Sequence, residues 1–413
     1  MRKITTALVT AVSLFLSSCG SNLSTIIPIA TSTPQETATT VQLLDLPTPE
    51  FTPMFNKASN ENDWFLVTLG EKVNRQGWWP AIPAFSHDGK MIALVSERVR
   101  LWNVETHELI YELNNPYSNC YTENIAFSTD DSLLAASIYD TDSNATGHVL
   151  IWDTQEGILL NDWEQAFSKN TSKVKGVLNS HPATGIAFLP NSTLLAIANG
   201  NTIEIKDARK ESNSLVLELG DDMVATSIAI SRDRKSLFAF MDFSYWKTPN
   251  EIGQEYALQI WDLNSEELVE KLDLPEPDNT GAFYEHFDAE IRLEGTNLVT
   301  IDYINETFTV TNLETGDKRN LYYLGDVKTF ISQDTKYVSY IPNLFDCEDK
   351  GFELWDTHLN QSFHTFPASH DDFDTEWCRG LSTITFSFDN TILAIAHEER
   401  VSLWDISSFT KAK

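Results

Sequence analysis

The residues best suited to chemistry in this sequence are carboxylates and a histidine in two short polar runs. "SHDDFDTEW" brings together His370, Asp371, Asp372, Asp374 and Glu376, and "DTDSN" sets Asp140, Asp142 and Asn144 at alternate positions. Oxygen and nitrogen donors so spaced are what a divalent cation needs, but neither run has the glycine that turns an EF-hand loop around its ion. Both read as solvated acidic loops, and no metal site is assigned. Covalent and redox chemistry leave no mark either. There is no Gly-x-Ser-x-Gly elbow, no phosphate-binding loop and no dinucleotide fingerprint, and "HEER" at His397 lacks the second histidine of a zinc-protease motif. No catalytic residue and no cofactor is assigned. A nucleophile and base converging from distant loops would leave no linear motif.

The elements that must position these residues are strands. The chain has 413 residues, 42% apolar, enough to bury a large core. Only 29 Lys and Arg oppose 60 Asp and Glu, a formal charge of −31. Nucleic acid is excluded as a partner on that ground, because counterion release from a phosphate backbone needs a basic footprint. Acidity of this degree keeps a surface solvated and repulsive.

From about residue 63 onward one pattern recurs: an apolar run ending near Phe-Ser, a polar turn, a second apolar run, a turn, and a run ending in Trp-Asp or a relative. The terminal dipeptides are Trp102-Asn103, Trp152-Asp153, Lys206-Asp207, Trp261-Asp262, Thr311-Asn312, Trp355-Asp356 and Trp404-Asp405. Their spacing, between 44 and 55 residues, suits four short strands with variable loops. Runs such as "TLLAIA" and "ILAIA" are apolar at both parities, as strands buried on both faces should be. On "IAFSTDDSLLAAS" with "VLIWD", and "ITFSFDNTILAIA" with "VSLWD", the sequence resembles the WD-repeat β-propeller family over residues 63–413. The resemblance implies an all-β, seven-bladed propeller of four-stranded blades. Repeats three and five lack the Trp, and the Gly-His dipeptide of the family is absent.

The last repeat ends in "ISSFTKAK", with no strand-like run after Trp404-Asp405, while "WFLVTL" at residues 64–69 stands upstream of the first repeat. The resemblance implies that this N-terminal strand completes the last blade. Two open sheet edges then disappear together.

The first residues speak of compartment. Arg2 and Lys3, the apolar run "ITTALVTAVSLFL" and small residues have the layout of a secretory signal over residues 1–18, too short for a comfortable transmembrane span. "LSSCG" resembles the lipobox of bacterial lipoproteins, which implies lipidation of Cys19 and an extracytoplasmic, membrane-anchored protein of the cell envelope. Residues 19–62, rich in Thr, Ser and Pro, read as a tether with a reach of roughly 100 Å at ~3 Å per residue.

With strands ordered a, b, c, d, the b–c and d–a connections share one face of the propeller. The a–b and c–d turns share the other. The long connections all fall on the first face, in repeats two, four and six. They carry aromatic residues, the usual anchors of protein interfaces and sugar platforms. Tyr139, Tyr245, Trp246, Tyr284, Phe373 and Trp377 are the partner-binding candidates, with Tyr245-Trp246 the pair expected to be most exposed. Cys347 and Cys378 fall at one corner of that face and form a candidate disulfide, worth about 2–4 kcal/mol if unstrained. Cys120 lies in another d–a connection. These features lead to the expectation of a non-catalytic platform for a protein partner. A glycan- or small-ligand-binding propeller, or an enzyme using the same face or the central channel, is the alternative.

Overall fold

The computed structural model describes residues 64–70, 82–95, 98–117, 120–140, 146–165, 185–210, 213–220, 224–248, 251–274, 289–294, 296–302, 307–322, 327–332, 334–342, 352–357, 359, 361–366, 381–397 and 400–410. The signal, Cys19 and the tether lie outside the described residues, as do Tyr284, Phe373, Trp377, Cys347 and Cys378.

The strands form seven antiparallel sheets of four. Blade 1 comprises strands a (Ile82–Phe85), b (Met91–Val95), c (Val99–Asn103) and d (Leu109–Leu113), and the next five blades repeat that order. Strands a of neighbouring blades touch one another, so they form the inner ring and strands d the rim. The fold is the seven-bladed β-propeller expected.

Blade 7 has strands a (Leu381–Phe386), b (Ile392–His397) and c (Arg400–Asp405), and its strand d is Phe65–Gly70 from the other end of the region. The run after Trp404-Asp405 forms one helical turn, Ser407–Thr410, whose Phe409 ring lies 5.1 Å from that of Trp64. The core sits between blades. Val95, Leu101, Leu134 and Trp152 join blades 1 and 2, and Leu69, Val401, Ile92 and Trp102 join blades 7 and 1. A blade buries both faces only with a neighbour on each side, so the ring has to close.

Recurrent residues have recurrent jobs at the turns. In five a–b turns a serine hydroxyl donates to the aspartate two residues on: Ser86–Asp88, Ser128–Asp130, Ser231–Asp233, Ser332–Asp334 and Ser387–Asp389, at 2.7–2.9 Å. The same hydroxyl accepts the N–H of the first residue of strand b. The residue after the aspartate is left-handed in each, with φ between 56° and 71°. In the c–d turns the second residue of the dipeptide accepts backbone N–H groups two and three positions ahead, as Asn103 does from Glu105 and Thr106, and Asp153 from Gln155 and Glu156. An acceptor oxygen is all the turn asks for. Asn and Asp therefore interchange here, while Lys206 and Thr311 can replace the Trp without loss of the blade.

Candidate functional site

The two faces of the propeller differ. One carries the compact a–b and c–d turns. On the other, the most extended described feature is the hairpin of blade 4, formed by strands b (Ser236–Thr248) and c (Glu251–Asp262). Strand a of this blade (Val224–Ile230) pairs with b no further than Asp242, and strand d (Glu267–Leu274) pairs with c no further than Tyr256. Five more ladder positions, from Phe243 opposite Glu255 to Thr248 opposite Glu251, join b and c with no third strand among the described residues. At ~3.4 Å per residue this ribbon stands roughly 17–20 Å beyond its blade.

Tyr245 and Trp246 belong to the ribbon, opposite Gly253 and Ile252. The stretch expected as a long b–c connection is therefore largely paired strand, in line with the strand preference of Phe243, Tyr245, Trp246 and Ile252. Tyr139 is also in a ladder, near the end of strand b of blade 2 (Leu133–Asp140), between Tyr121 and Gly147, and is half-buried. The metal-like run at 370–376 lies outside the described residues, and among the described residues no group of three or more His, Cys, Asp or Glu could hold an ion. Cys120 is buried, its thiol donating to the Tyr117 carbonyl at 3.7 Å.

Three polar features of this face were not singled out in the sequence. The first is a triangle between blades 1 and 2. The Tyr117 hydroxyl lies 2.7 Å from Asp162 Oδ2 and 2.8 Å from His148 Nδ1, and His148 Nδ1 lies 2.9 Å from Asp162 Oδ1. The Tyr117 and His148 rings are 4.1 Å apart, which ties the connection leaving blade 1 onto blade 2. Nearby, the Trp152 indole donates to the Asn114 carbonyl at 2.8 Å, a backbone acceptor in the connection leaving blade 1. The second is an amide pair at the seam of blades 2 and 3, where Asn199 Nδ2 donates to Gln165 Oε1 at 3.1 Å. Their remaining amide atoms, Gln165 Nε2 and Asn199 Oδ1, are buried without a hydrogen bond.

The third feature is Glu123, on strand a of blade 2 (Cys120–Phe127), in the inner ring. The ladder to strand b passes from Thr122 opposite Ile138 to Asn124 opposite Ser137, leaving Glu123 as a bulge residue. Strands a of blades 4 and 7 bulge at the same level, at Thr226 and Ser382. Burial pushes the Glu123 carboxyl up to about 7. A lone acid inside "CYTENIAFS" is the signal that could have drawn attention to it, because strand interiors rarely carry an unpaired carboxylate.

The turn carboxylates of the opposite face titrate the other way. Burial alone would raise Asp130, but hydrogen bonds from Ser128 and Ser132 hold it below its ordinary value. The same balance, with Ser332 and Lys336 as donors, holds Asp334 down. Among the described residues no helix is long and apolar enough to cross a membrane.

No family model matches the sequence, and no curated protein matches it. Solved structures do resemble the fold. A chain of a mitotic checkpoint complex is 15% identical at a TM-score of 0.52, covering 89% of this chain and 99% of that one. The β-propeller domain of Cps50 (Swd1) from Myceliophteria thermophila is 14% identical at a TM-score of 0.53, covering 82% and 100%. The hydrazine synthase of Kuenenia stuttgartiensis is 14% identical at 0.53, covering 82% and 98%. Likenesses this low in identity carry the fold alone: the chain is a seven-bladed β-propeller with WD-repeat propellers among its structural neighbours.

Proposed function

We propose that this chain is a non-catalytic protein-interaction platform, held outside the cytoplasm by a lipid on Cys19 and working through the face that carries the blade 4 hairpin. One observation carries the reading. The a–b and c–d turns share a repeated hydrogen-bond device, whereas the opposite face bears a ribbon that, among the described residues, pairs only strands b and c. Extensions that the fold does not need are where a rigid scaffold places recognition. A propeller in a mitotic checkpoint complex and one from Cps50 (Swd1) give support by analogy of fold. The lipid anchor rests on the resemblance of "LSSCG" to a lipobox.

The test is co-purification after mild crosslinking from envelope membranes, comparing the native chain with a folded Tyr245→Ala, Trp246→Ala, Trp377→Ala variant. A specific protein retained by the native chain and lost from the variant supports the platform. Identical sets from both reject those residues as anchors. Cys19→Ala should release the protein from the membrane fraction, and its retention there would overturn the anchor.

A further inference from the structure

We infer that the channel-side edge of the blade 4 hairpin, Phe243–Trp246, is a strand-addition site that takes an extended, basic segment of a partner protein. This rests on the platform reading and names the kind of partner. Three arguments lead to it.

The first is geometric. Strand a lies on the channel side of strand b but pairs with it no further than Asp242, so beyond that residue strand b has no channel-side neighbour among the described residues. Alternate N–H and C=O groups of Phe243–Trp246 point along that edge. An isolated two-stranded ribbon is marginal in water, and a third strand laid above strand a would continue the sheet already below it.

The second argument concerns how edges are guarded. Proteins blunt exposed strand edges with charges or proline. Five of the seven rim strands follow that rule, among them Ile158–Gln165 with Asp162 and Glu164 and Glu267–Leu274 with Glu267, Glu270, Lys271 and Asp273; Phe65–Gly70 and Gln361–Phe366 do not. Phe243–Trp246, "FSYW", has neither a charge nor a proline. Flanked by Asp242 and Lys247, this stretch itself lacks the guards that most rim strands carry, which leaves its edge open to a further strand.

The third is charge. Residues 242–256 hold Asp242, Glu251 and Glu255 against Lys247, within a chain of net charge −31. A basic segment meets opposite charge along its path, and an acidic one is repelled.

The experiment uses fluorescein-labelled eight-residue peptides and the full chain, with binding read by anisotropy at about 50 mM salt, where screening is weak. The probes are alternating Lys-Val, the same peptide with alternate amides N-methylated, and alternating Glu-Val. The protein variants are a trimmed chain in which residues 243–255 are replaced by Asn-Gly, and the single substitutions Ser244→Pro and Tyr245→Pro. Adjacent residues face opposite edges, so one proline removes a donor from the open edge and the other a donor from the hairpin ladder. Expected is at least tenfold weaker binding of the N-methylated and Glu-Val peptides, and at least a tenfold loss for the trimmed chain and for one proline variant, with melting temperatures held. Equal binding of methylated and unmethylated Lys-Val, equal binding by the trimmed chain, or no binding of Lys-Val at all would overturn strand addition. If the trimmed chain loses a co-purifying partner while Lys-Val fails to bind, the platform stands and strand addition falls. If Lys-Val binding depends on the hairpin while no partner is retained, the reverse holds.

Discussion

Phe65 and Trp404 stand opposite each other across the closing pair of strands, their rings edge-on with centroids 5.2 Å apart and planes at 68°. The ladder then skips Leu66 and resumes with Val67 opposite Leu403. Strand d skips a residue at the same place in blades 1, 2, 3, 4 and 6, beside Trp102, Trp152, Lys206, Trp261 and Trp355. Phe65–Gly70 is thus a strand d in its bulge as well as its pairing, and Asp405 N–H donates to the Trp64 carbonyl at 2.7 Å to start it.

Deleting residues 64–70 should therefore open the ring, expose the edge of Arg400–Asp405 and leave an aggregating protein. The milder Leu69→Ala should cost about 2–4 kcal/mol, since Leu69 packs with Val401, Ile92 and Trp102 across the seam. Denaturant unfolding and sedimentation measure both. A deletion variant that stays monomeric with an unchanged melting temperature would show that the seam is dispensable.

Tyr111 of blade 1 packs on the c–d turn of blade 2. Its hydroxyl donates to the Gln155 carbonyl at 2.7 Å, and a Cβ added to Gly157 would sit 2.5 Å from its ring. Gly157 also has φ of 68°. Gly157→Ala should cost about 2–3 kcal/mol, roughly 1 from the left-handed backbone and the rest from the ring. In a Tyr111→Ala background only the backbone part should remain. A double-mutant cycle with no coupling would remove the ring from the explanation.

Asn103 and its five counterparts in blades 2 to 6 act in the c–d turns as acceptors. Asn103→Asp should change stability by less than about 0.5 kcal/mol, whereas Asn103→Ala should cost about 1 kcal/mol, the usual worth of a turn or cap hydrogen bond. Equal losses from both substitutions, by chemical denaturation, would mean that the amide does something other than accept from Glu105 and Thr106.

What could be read from the sequence follows from which interactions are local. The Ser-x-Asp turns, the Asn or Asp ending strand c and the doubly apolar strands recur because each blade repeats the same short-range chemistry, so blade number and ring closure were legible. The blade 4 hairpin was not, since "MDFSYWKTPNEIGQEY" mixes polar and apolar residues without strict alternation, and its pairing is set by a ladder begun inside the blade. The triangle of Tyr117, His148 and Asp162 joins residues from three separate elements and leaves no spacing to find.

Glu123 should make stability fall as pH rises. Its carboxyl is raised from 4.5 to about 7 by burial, so the folded state holds the proton more tightly than the unfolded chain does. Its penalty is absent below about pH 4.5, grows through the interval and is full above 7. The turn aspartates, Asp130 and Asp334 among them, have lowered values and act with the opposite sign, their stabilisation being lost as pH falls through the acid range. Glu123→Gln removes the first effect and leaves the second. The variant should match the native chain near pH 4.5 and exceed it at pH 8 by about 1–3 kcal/mol, measured by denaturant unfolding at each pH. A constant difference across that range would show that the half-buried Glu123 carboxyl stays solvated in the fold, and its raised value would then have no cause in the inner-ring bulge.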